Sequence, residues 1–191
     1  MYHHFSSSLT QEQQLIKEKK YVPALDKLNV ILYERHGCFF DAKTYRQYNG
    51  NSLEDKQKQK AGIDAECELF FPKTGRRQMF TWDYKFRFKA FYDFLAETVS
   101  VDYCHKPGWA VDPVKENDLI MNINLQTKQV VVVSRVELKD AILSGKFSDI
   151  KEKSAENHDF RFDKSYNTKF ITIPLNRLKE ECPKTIIYSY E

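Results

Sequence analysis

A strand-like segment from Phe80 to Lys89 combines an aromatic face with a face that carries reactive groups. Its sequence, FTWDYKFRFK, places an aromatic ring at every second position, as in a strand with one buried face. The opposite face presents Asp83 and Lys85, followed by two more cations. A carboxylate and an ammonium group are therefore expected to lie side by side on this face.

A second carboxylate, Asp64, is expected to lie close to this pair. Residues 63–71 and 78–89 have the composition of two strands, and residues 73–75, which include a glycine, are typical of a hairpin turn between them. In a hairpin, the start of the first strand lies beside the far end of the second. This geometry predicts that Asp64 approaches Asp83.

Two carboxylates that converge near a lysine form a site for a hard divalent cation. Mg²⁺ binds oxygen ligands and retains several waters, so Asp64 and Asp83 are the candidate ligands, with the main-chain carbonyl of Tyr84 as a third. Lys85 would then activate a metal-bound water or orient it toward a phosphate.

The spacing Asp64-x18-Asp83-x-Lys85 on adjacent strands resembles the catalytic pattern of the PD-(D/E)xK nuclease superfamily. Residues 59–64, QKAGID, are similar to the Q-x-x-GID motif of a bacterial and phage subgroup, which continues with a hydrophobic strand, a glycine turn and (D/E)-x-K. Three further features fit the subgroup and extend the resemblance over about residues 15–178: Gly108-Trp109, Asn117-Asp118 before an apolar strand, and a late strand that ends in Pro174.

This resemblance implies a restriction-endonuclease-like fold and hydrolysis of phosphodiester bonds, most often in DNA, with Mg²⁺ or Mn²⁺ as cofactor. It also implies two supporting residues. Gln59 matches a glutamine that often precedes the first aspartate, and Glu34 matches a glutamate on the first helix of many members. The chain departs from the superfamily archetype at Gly62-Ile63, where a hydrophobic residue and proline are usual.

Other interpretations of the same residues remain open. Asp83 and Lys85 would also suit a solvated strand face with an ion pair. Glu97 would either face the site or pair with Lys89. At the level of the whole protein, the alternatives are a catalytically inactive relative that binds DNA or serves as a phage structural component, and a protein-interaction module. The last alternative predicts an exposed surface formed by Trp82, Phe86 and Phe88.

Composition excludes several classes and makes any nucleic-acid surface local. The chain has 191 residues, 30 basic and 27 acidic, and its 14% aromatic content is too high for a disordered charged tail. Residues 76–89 hold five basic residues against one acidic, and residues 43–60 hold five against two. Such clusters bind phosphate backbones, and Tyr45 and Tyr48 would stack on bases. The candidate DNA-binding residues are Lys56, Lys58, Lys60, Arg76, Arg77, Arg87 and Lys89.

Targeting signals and cysteines favour a cytoplasmic protein of a bacterial or phage-infected cell, or a virion component. The four cysteines form no CxxC pair, which indicates free thiols in a reducing compartment. The N-terminus lacks the apolar core of a signal peptide, and no apolar run approaches a membrane span. A two-fold homodimer would suit an enzyme that cuts both DNA strands.

The elements expected to position the site form a single α/β domain over residues 10–191, after a flexible N-terminus at residues 1–9. A long helix from Thr10, split near Pro23, precedes several strands, a short helix at residues 137–144 and late strands. We expect one mixed sheet flanked by helices, with a charged excursion loop at about residues 146–164.

Overall fold

A computed structural model of the chain describes residues 14–15, 18–48, 50–159 and 164–190. Within them there are four α-helices: α1 Val22–His36, α2 Leu53–Lys60, α3 Arg135–Leu143 and α4 Leu175–Glu181. The strands are β1 Phe39–Phe40, β2 Arg46–Gln47, β3 Ala65–Phe71, β4 Arg76–Arg87, β5 Asp93–Val101, β6 Lys106–Pro107, β7 Leu119–Asn124, β8 Gln129–Ser134, β9 Lys153–Asp159, β10 Lys164–Pro174 and β11 Ile186–Ser189.

The strands form two sheets. The first has the order β1-β3-β4-β7-β8-β11, with β2 also paired to β3, and β4 runs parallel to β7 while the other neighbours are antiparallel. The second is antiparallel with the order β6-β5-β10-β9. The predicted mixed α/β class is confirmed, but the single expected sheet is divided into two.

The two faces of the first sheet are covered by different partners. Helix α1 packs on the aromatic face of β4, where Trp82, Tyr84 and Phe86 are buried with Leu28 of the helix. The other face packs against the second sheet and helices α3 and α4, in a cluster that includes Ile120, Val133, Phe94, Ile171 and Leu178. Asp83 and Lys85 lie on this second face, between the sheets.

The sequence predicts that the first long helix stops at Gly37, and helix α1 ends at His36, directly before it. Gly37 adopts a left-handed conformation with φ +62°, and its N–H donates to the carbonyl of Tyr33. Pro23 lies in the first turn of the helix, which begins at Val22, because proline is tolerated there but not in a helix interior. The sequence also predicts a helix start at Thr10, with Gln13 as its capping partner. These two residues and the N-terminus at residues 1–9 lie outside the described residues.

Strand β4 is fastened to β7 by a reciprocal pair of hydrogen-bonded residues. The Asp118 carboxylate accepts from both the N–H and the hydroxyl of Thr81, at 2.8 and 2.9 Å, and the Asp118 N–H donates to the Thr81 hydroxyl at 3.0 Å. The Asn117 side chain donates a hydrogen bond to the carbonyl of Leu119, the first residue of β7. The Asn-Asp pair noticed in the sequence therefore aligns β7 with the strand that carries Asp83 and Lys85.

The segment at residues 146–164 was expected to be a loop, and this prediction is wrong over much of its length. Strand β9 lies within it and pairs with β10, which itself begins at Lys164. The composition of β9, KSAENHD, has few apolar or β-branched residues, which is why the sequence did not indicate a strand here.

All four cysteines are free thiols, and Cys104 is exposed whereas the other three are buried. Among the described residues, no helix combines the length and apolarity that crossing a membrane requires.

Candidate active site

Asp64 and Asp83 converge as the hairpin geometry predicted. Asp64 immediately precedes β3, where Ala65 pairs with Trp82, so Asp64 lies opposite Asp83 on β4. The two carboxyl groups are close enough for the charge of Asp83 to act on Asp64. The main-chain N–H of Tyr84 donates to Asp64 Oδ2 at 2.9 Å, which fixes the orientation of this carboxylate.

The local electrostatics favour a bound proton or cation between the two aspartates. Burial raises the pKa of Asp64 well above its usual value, and the negative charge of Asp83 raises it further. The ammonium group of Lys85 and the Tyr84 N–H oppose this shift. Asp83 is itself buried, so little water screens the repulsion between the two carboxylates.

Lys85 binds Asp83 directly and lies under an aromatic ring. Its Nζ is 2.9 Å from either carboxylate oxygen of Asp83, and 5.6 Å from the centre of the Trp109 ring. The Trp109 ring also packs edge-on against Phe94 of β5, at 6.2 Å between ring centres. Trp109 therefore forms one wall of the site, where it excludes water from one side of the lysine.

Gly108 explains why a glycine precedes this tryptophan. A Cβ at Gly108 would lie 2.3 Å from the main-chain carbonyl oxygen of Glu97, a distance that no side chain tolerates. The Gly108 N–H donates to the carbonyl of Thr98, and that of Ala110 to the carbonyl of Glu97. The absence of a side chain thus lets the loop lie directly against β5 and bring Trp109 over Lys85.

Glu97 on β5 supplies a third carboxylate near Lys85. Burial raises its pKa, while hydrogen bonds from Ser100 and the Trp109 N–H, and the charge of Lys85, lower it. Of the two alternatives drawn from the sequence, the one in which Glu97 faces the site agrees with this placement. Glu97 belongs to the second sheet, so the site lies where the two sheets meet.

Lys115 is a second site lysine that the sequence did not indicate. It interacts electrostatically with Asp83 and Lys85, and burial lowers its pKa. Its Nζ donates to the carbonyl of Lys60 at 3.0 Å. Gly62, with φ +76°, makes room for it, because a Cβ there would lie 2.7 Å from Lys115 Cδ. The glycine of the GID motif is therefore needed both for its backbone conformation and for this close approach.

The donors present suit a cation that keeps part of its water shell. In the described part of the chain, no three His, Cys, Asp or Glu side chains converge to form a metal cage. Two carboxylates and water are a usual ligand set for Mg²⁺. In a strand, the C=O of a residue points the same way as its N–H, so the Tyr84 carbonyl points to the side occupied by Asp64. The chemistry of these donors therefore fits the divalent cation expected from the sequence.

Of the two supporting residues taken from the resemblance, Gln59 braces the site from outside. Its amide donates to the carbonyl of Tyr48 at 2.9 Å, and the Tyr48 N–H donates to the carbonyl of Asp64 at 2.8 Å. Gln59 therefore positions the main chain around Asp64 through this segment.

Glu34 does not belong to the site. It is exposed in the last turn of α1, beside Pro72 and Lys73 at the turn between β3 and β4. That turn is separated from Asp64 by the whole of β3, about 23 Å at 3.3 Å per residue. Helix α1 packs with its C-terminal end at the closed end of the hairpin, whereas the two aspartates lie at the open end.

The candidate DNA-binding cations are more dispersed than the charge count suggested. Arg76 and Arg77 begin β4 beside the hairpin turn, and Arg77 is engaged by Asp41 and Glu68 at 3.0 and 2.7 Å. Six residues of strand, about 20 Å, separate Arg77 from Asp83. These two arginines therefore do not flank the site.

The remaining candidates divide by their contacts. Lys58 pairs with Glu66 at 3.4 Å, and Arg87 with Asp93 at 2.8 Å. Lys56, Lys60 and Lys89 are exposed. The cations that interact with the site carboxylates are instead Lys85, Lys115, Lys106 and the buried Arg135.

The two tyrosines expected to stack on bases are not available for that role. Tyr48 is 2% exposed, and the Tyr45 ring stacks on Tyr21 at 5.5 Å between centres. The Tyr45 ring packs against the cluster under α1, whereas Tyr48 is buried beneath Arg46 and Lys58, whose charged groups lie 5.0 and 5.5 Å from its ring centre. The prediction that they contact nucleic acid is wrong.

A cavity of about 510 Å³ lies between α1 and the first sheet. Leu28, Leu32 and Phe80 belong to its apolar lining, and Lys115 and Arg135 to its polar rim.

Sequence reasoning missed Lys115 and Arg135 because each is separated from Asp83 by long connections, and it noted Trp109 only as part of the resemblance. The Gly-Trp pair was the available signal for Trp109, since a glycine before a large aromatic residue often marks a close backbone approach. Comparison of the chain with protein-family models, with curated proteins and with solved structures found no match.

Proposed function

We propose that this protein is a divalent-cation-dependent phosphodiesterase that cleaves DNA, and that its fold is restriction-endonuclease-like. The observation that carries the proposal is the convergence of Asp64 and Asp83, with Lys85 2.9 Å from Asp83, at the meeting point of two sheets. Carboxylates that repel each other in a buried position are costly to maintain unless a positively charged ligand joins them.

Each site residue has a role that follows from its position. Asp64 and Asp83 would hold Mg²⁺ or Mn²⁺, assisted by the Tyr84 carbonyl. The cation, when bound, would supply positive charge to the scissile phosphate and lower the pKa of an attacking water. Lys85 offers its ammonium group to a phosphate oxygen or to the attacking water, and Trp109 limits the access of bulk water to it.

Glu97 and Lys115 would complete the charge balance around the substrate. Glu97 interacts electrostatically with Lys85 and can hold its ammonium group on the side of the cleft. Lys115, whose contact with the Lys60 carbonyl attaches it to the end of α2, adds positive charge opposite Asp83. A substrate phosphate would thus meet two lysines and one cation.

The experiment is a cleavage assay with labelled single-stranded, double-stranded and branched DNA, and with RNA, in Mg²⁺, Mn²⁺ or EDTA. We expect the wild type to cleave in either metal and not in EDTA. The Asp83→Asn variant should not cleave, although the midpoint of its unfolding should be at least as high as that of the wild type. A wild-type protein that leaves all four substrates intact in both metals would overturn the enzymatic proposal.

One alternative is disfavoured by a specific observation. An interaction module that docks through the aromatic face of β4 requires exposed Trp82, Phe86 and Phe88. Phe88 is 46% exposed, but Trp82 and Phe86 are 0% and 6% exposed beneath α1. The catalytically inactive relative is distinguished by the assay, since it would bind DNA without cleaving it.

A further inference from the structure

A second group of aromatic residues, unlike those under α1, is exposed beside the site. The loop from β4 to β5 contains Phe88, Lys89, Ala90, Phe91 and Tyr92, and is called the aromatic loop below. Phe88, Phe91 and Tyr92 are 46%, 41% and 74% exposed. Three large aromatic side chains within five exposed residues form an apolar patch that packing of this chain does not explain.

The aromatic loop is held in place by buried polar groups. The Asn124 amide donates to the carbonyls of Lys89 and Phe91, at 3.0 and 3.3 Å, while its oxygen accepts from the N–H groups of Gln126 and Thr127. Arg87 donates to the carbonyl of Asp93 at 2.7 Å. The rings are therefore presented on a fixed backbone, which lowers the entropic cost of binding a ligand.

The aromatic loop also adjoins the face of β4 that carries Asp83 and Lys85. Arg87 follows Lys85 by two residues on the same face of β4, a distance of about 7 Å. The guanidinium carbon of Arg87 is 4.1 Å from the centre of the Phe91 ring. A row of Trp109, Lys85, Arg87 and Phe91 thus leads from the candidate site to Tyr92.

We propose that the aromatic loop binds unpaired nucleotides of a DNA strand next to the phosphate that is cleaved. The rings would stack on bases, and the exposed ammonium group of Lys89 would contact the backbone phosphates. Base pairing hides base faces inside a duplex, so this surface selects single-stranded DNA or the unpaired part of a branched molecule. The inference rests on the proposed function for the position of the cleaved phosphate.

Fluorescence anisotropy with a labelled oligo(dT) in EDTA, where the proposed cleavage does not occur, tests this inference. We expect Phe91→Ala and Tyr92→Ala each to weaken binding about 5- to 100-fold, and Tyr92→Trp to retain it. Tyr103→Ala is the matched control, because Tyr103 is 48% exposed but lies beyond the other end of β5, about 30 Å from Tyr92.

The salt dependence of binding separates stacking from charge. Lys89→Ala should reduce the slope of log affinity against log salt by about 1, whereas Tyr92→Ala should leave the slope unchanged. Unlabelled duplex of the same length should compete poorly with the labelled strand.

Equal affinities for Tyr92→Ala, Phe91→Ala and Tyr103→Ala would overturn the inference, as would a duplex that competes as well as the single strand. Its failure is distinct from that of the proposed function. If the protein cleaves DNA but its aromatic-loop variants bind oligo(dT) as tightly as the wild type, only the inference is contradicted. A protein that binds oligo(dT) through the loop but never cleaves contradicts the enzymatic proposal alone.

Discussion

The main-chain N–H of Tyr84 donates a 2.9 Å hydrogen bond to Asp64 Oδ2, just beyond the Ala65–Trp82 pair that begins the β3–β4 ladder. This bond ties the position of one carboxylate to the register of two strands, and so holds it beside Asp83 in spite of their mutual repulsion. The fold therefore holds two carboxyl groups together in an arrangement that favours a proton or a cation between them.

This arrangement predicts a pH-dependent gain in stability for Asp64→Asn. Burial and the charge of Asp83 raise the pKa of Asp64 in the folded protein, with Lys85 opposing the shift. Protonation of Asp64 therefore stabilises the folded protein. This contribution to the free energy of unfolding is fully present below the unfolded-state pKa and is lost as pH rises through the folded-state pKa. Asparagine loses no proton, so we expect the variant to be more stable than the wild type by about 1 to 2 kcal/mol at pH 8.

Urea unfolding in EDTA at several pH values between 4 and 8 measures this difference, which should shrink as the pH falls. Mn²⁺ should stabilise the wild type at pH 8 and leave Asp64→Asn nearly unchanged. A difference that stays constant with pH would show that the carboxylate is not the source of the effect.

Lys85→Ala should reduce cleavage about 10²- to 10³-fold while the protein remains folded. The side chain is 25% exposed and contributes little to the core, but it is the cation nearest Asp83. The expected loss is of the size seen when one preorganised charge or hydrogen-bond donor is removed from an active site. Single-turnover cleavage measures it, and Lys179→Ala, an exposed lysine on α4, is the control. A loss below threefold would remove Lys85 from the proposed chemistry.

Glu97→Gln should lower the cleavage rate much more than Glu34→Gln, although the sequence offers both glutamates as candidate site residues. Glu97 interacts with Lys85, so its substitution should lower the cleavage rate at least tenfold. Glu34 lies at the hairpin turn, and its substitution should leave the rate within a factor of two. The two rates, measured side by side in Mn²⁺, check the placement of both carboxylates. The reverse order would favour the helical glutamate expected from the sequence.

Gly108→Ala should destabilise the fold much more than Gly75→Ala. At Gly75, with φ +67°, a Cβ meets nothing within 4 Å, so the cost is about 1 kcal/mol for the left-handed backbone. At Gly108 the Cβ would meet the Glu97 carbonyl carbon and oxygen at 2.4 and 2.3 Å, and the loop must move away from β5. We expect Gly108→Ala to lower the free energy of unfolding by about 3 kcal/mol or more. Urea unfolding of both variants measures the two costs. Similar costs would mean that the loop does not pack on β5.

The local part of the fold was predictable because its signals are local. Alternation on β4, the glycine turn before it and the glycine after α1 each depend on residues within one element. The Asp64–Asp83 approach followed from the hairpin alone, since a short turn sets the register of both strands.

The non-local part was not predictable in the same way. Glu97 and Lys115 reach the site through the docking of the second sheet and the parallel pairing of β4 with β7, and neither leaves a periodic pattern. Charge counts misled for a related reason. Arg77 and Lys85 are eight residues apart, but an extended strand converts this separation into about 26 Å.

The division of the carboxylates between two sheets bears on when the site forms during folding. Asp64 and Asp83 belong to a hairpin that can close early, whereas Glu97 lies on β5, which is held in the second sheet by β10 at residues 164–174. Contacts so distant in sequence form late, because long loops must be ordered first. A chain leaving the ribosome therefore acquires its complete set of site carboxylates only after residues 164–174 have been synthesised.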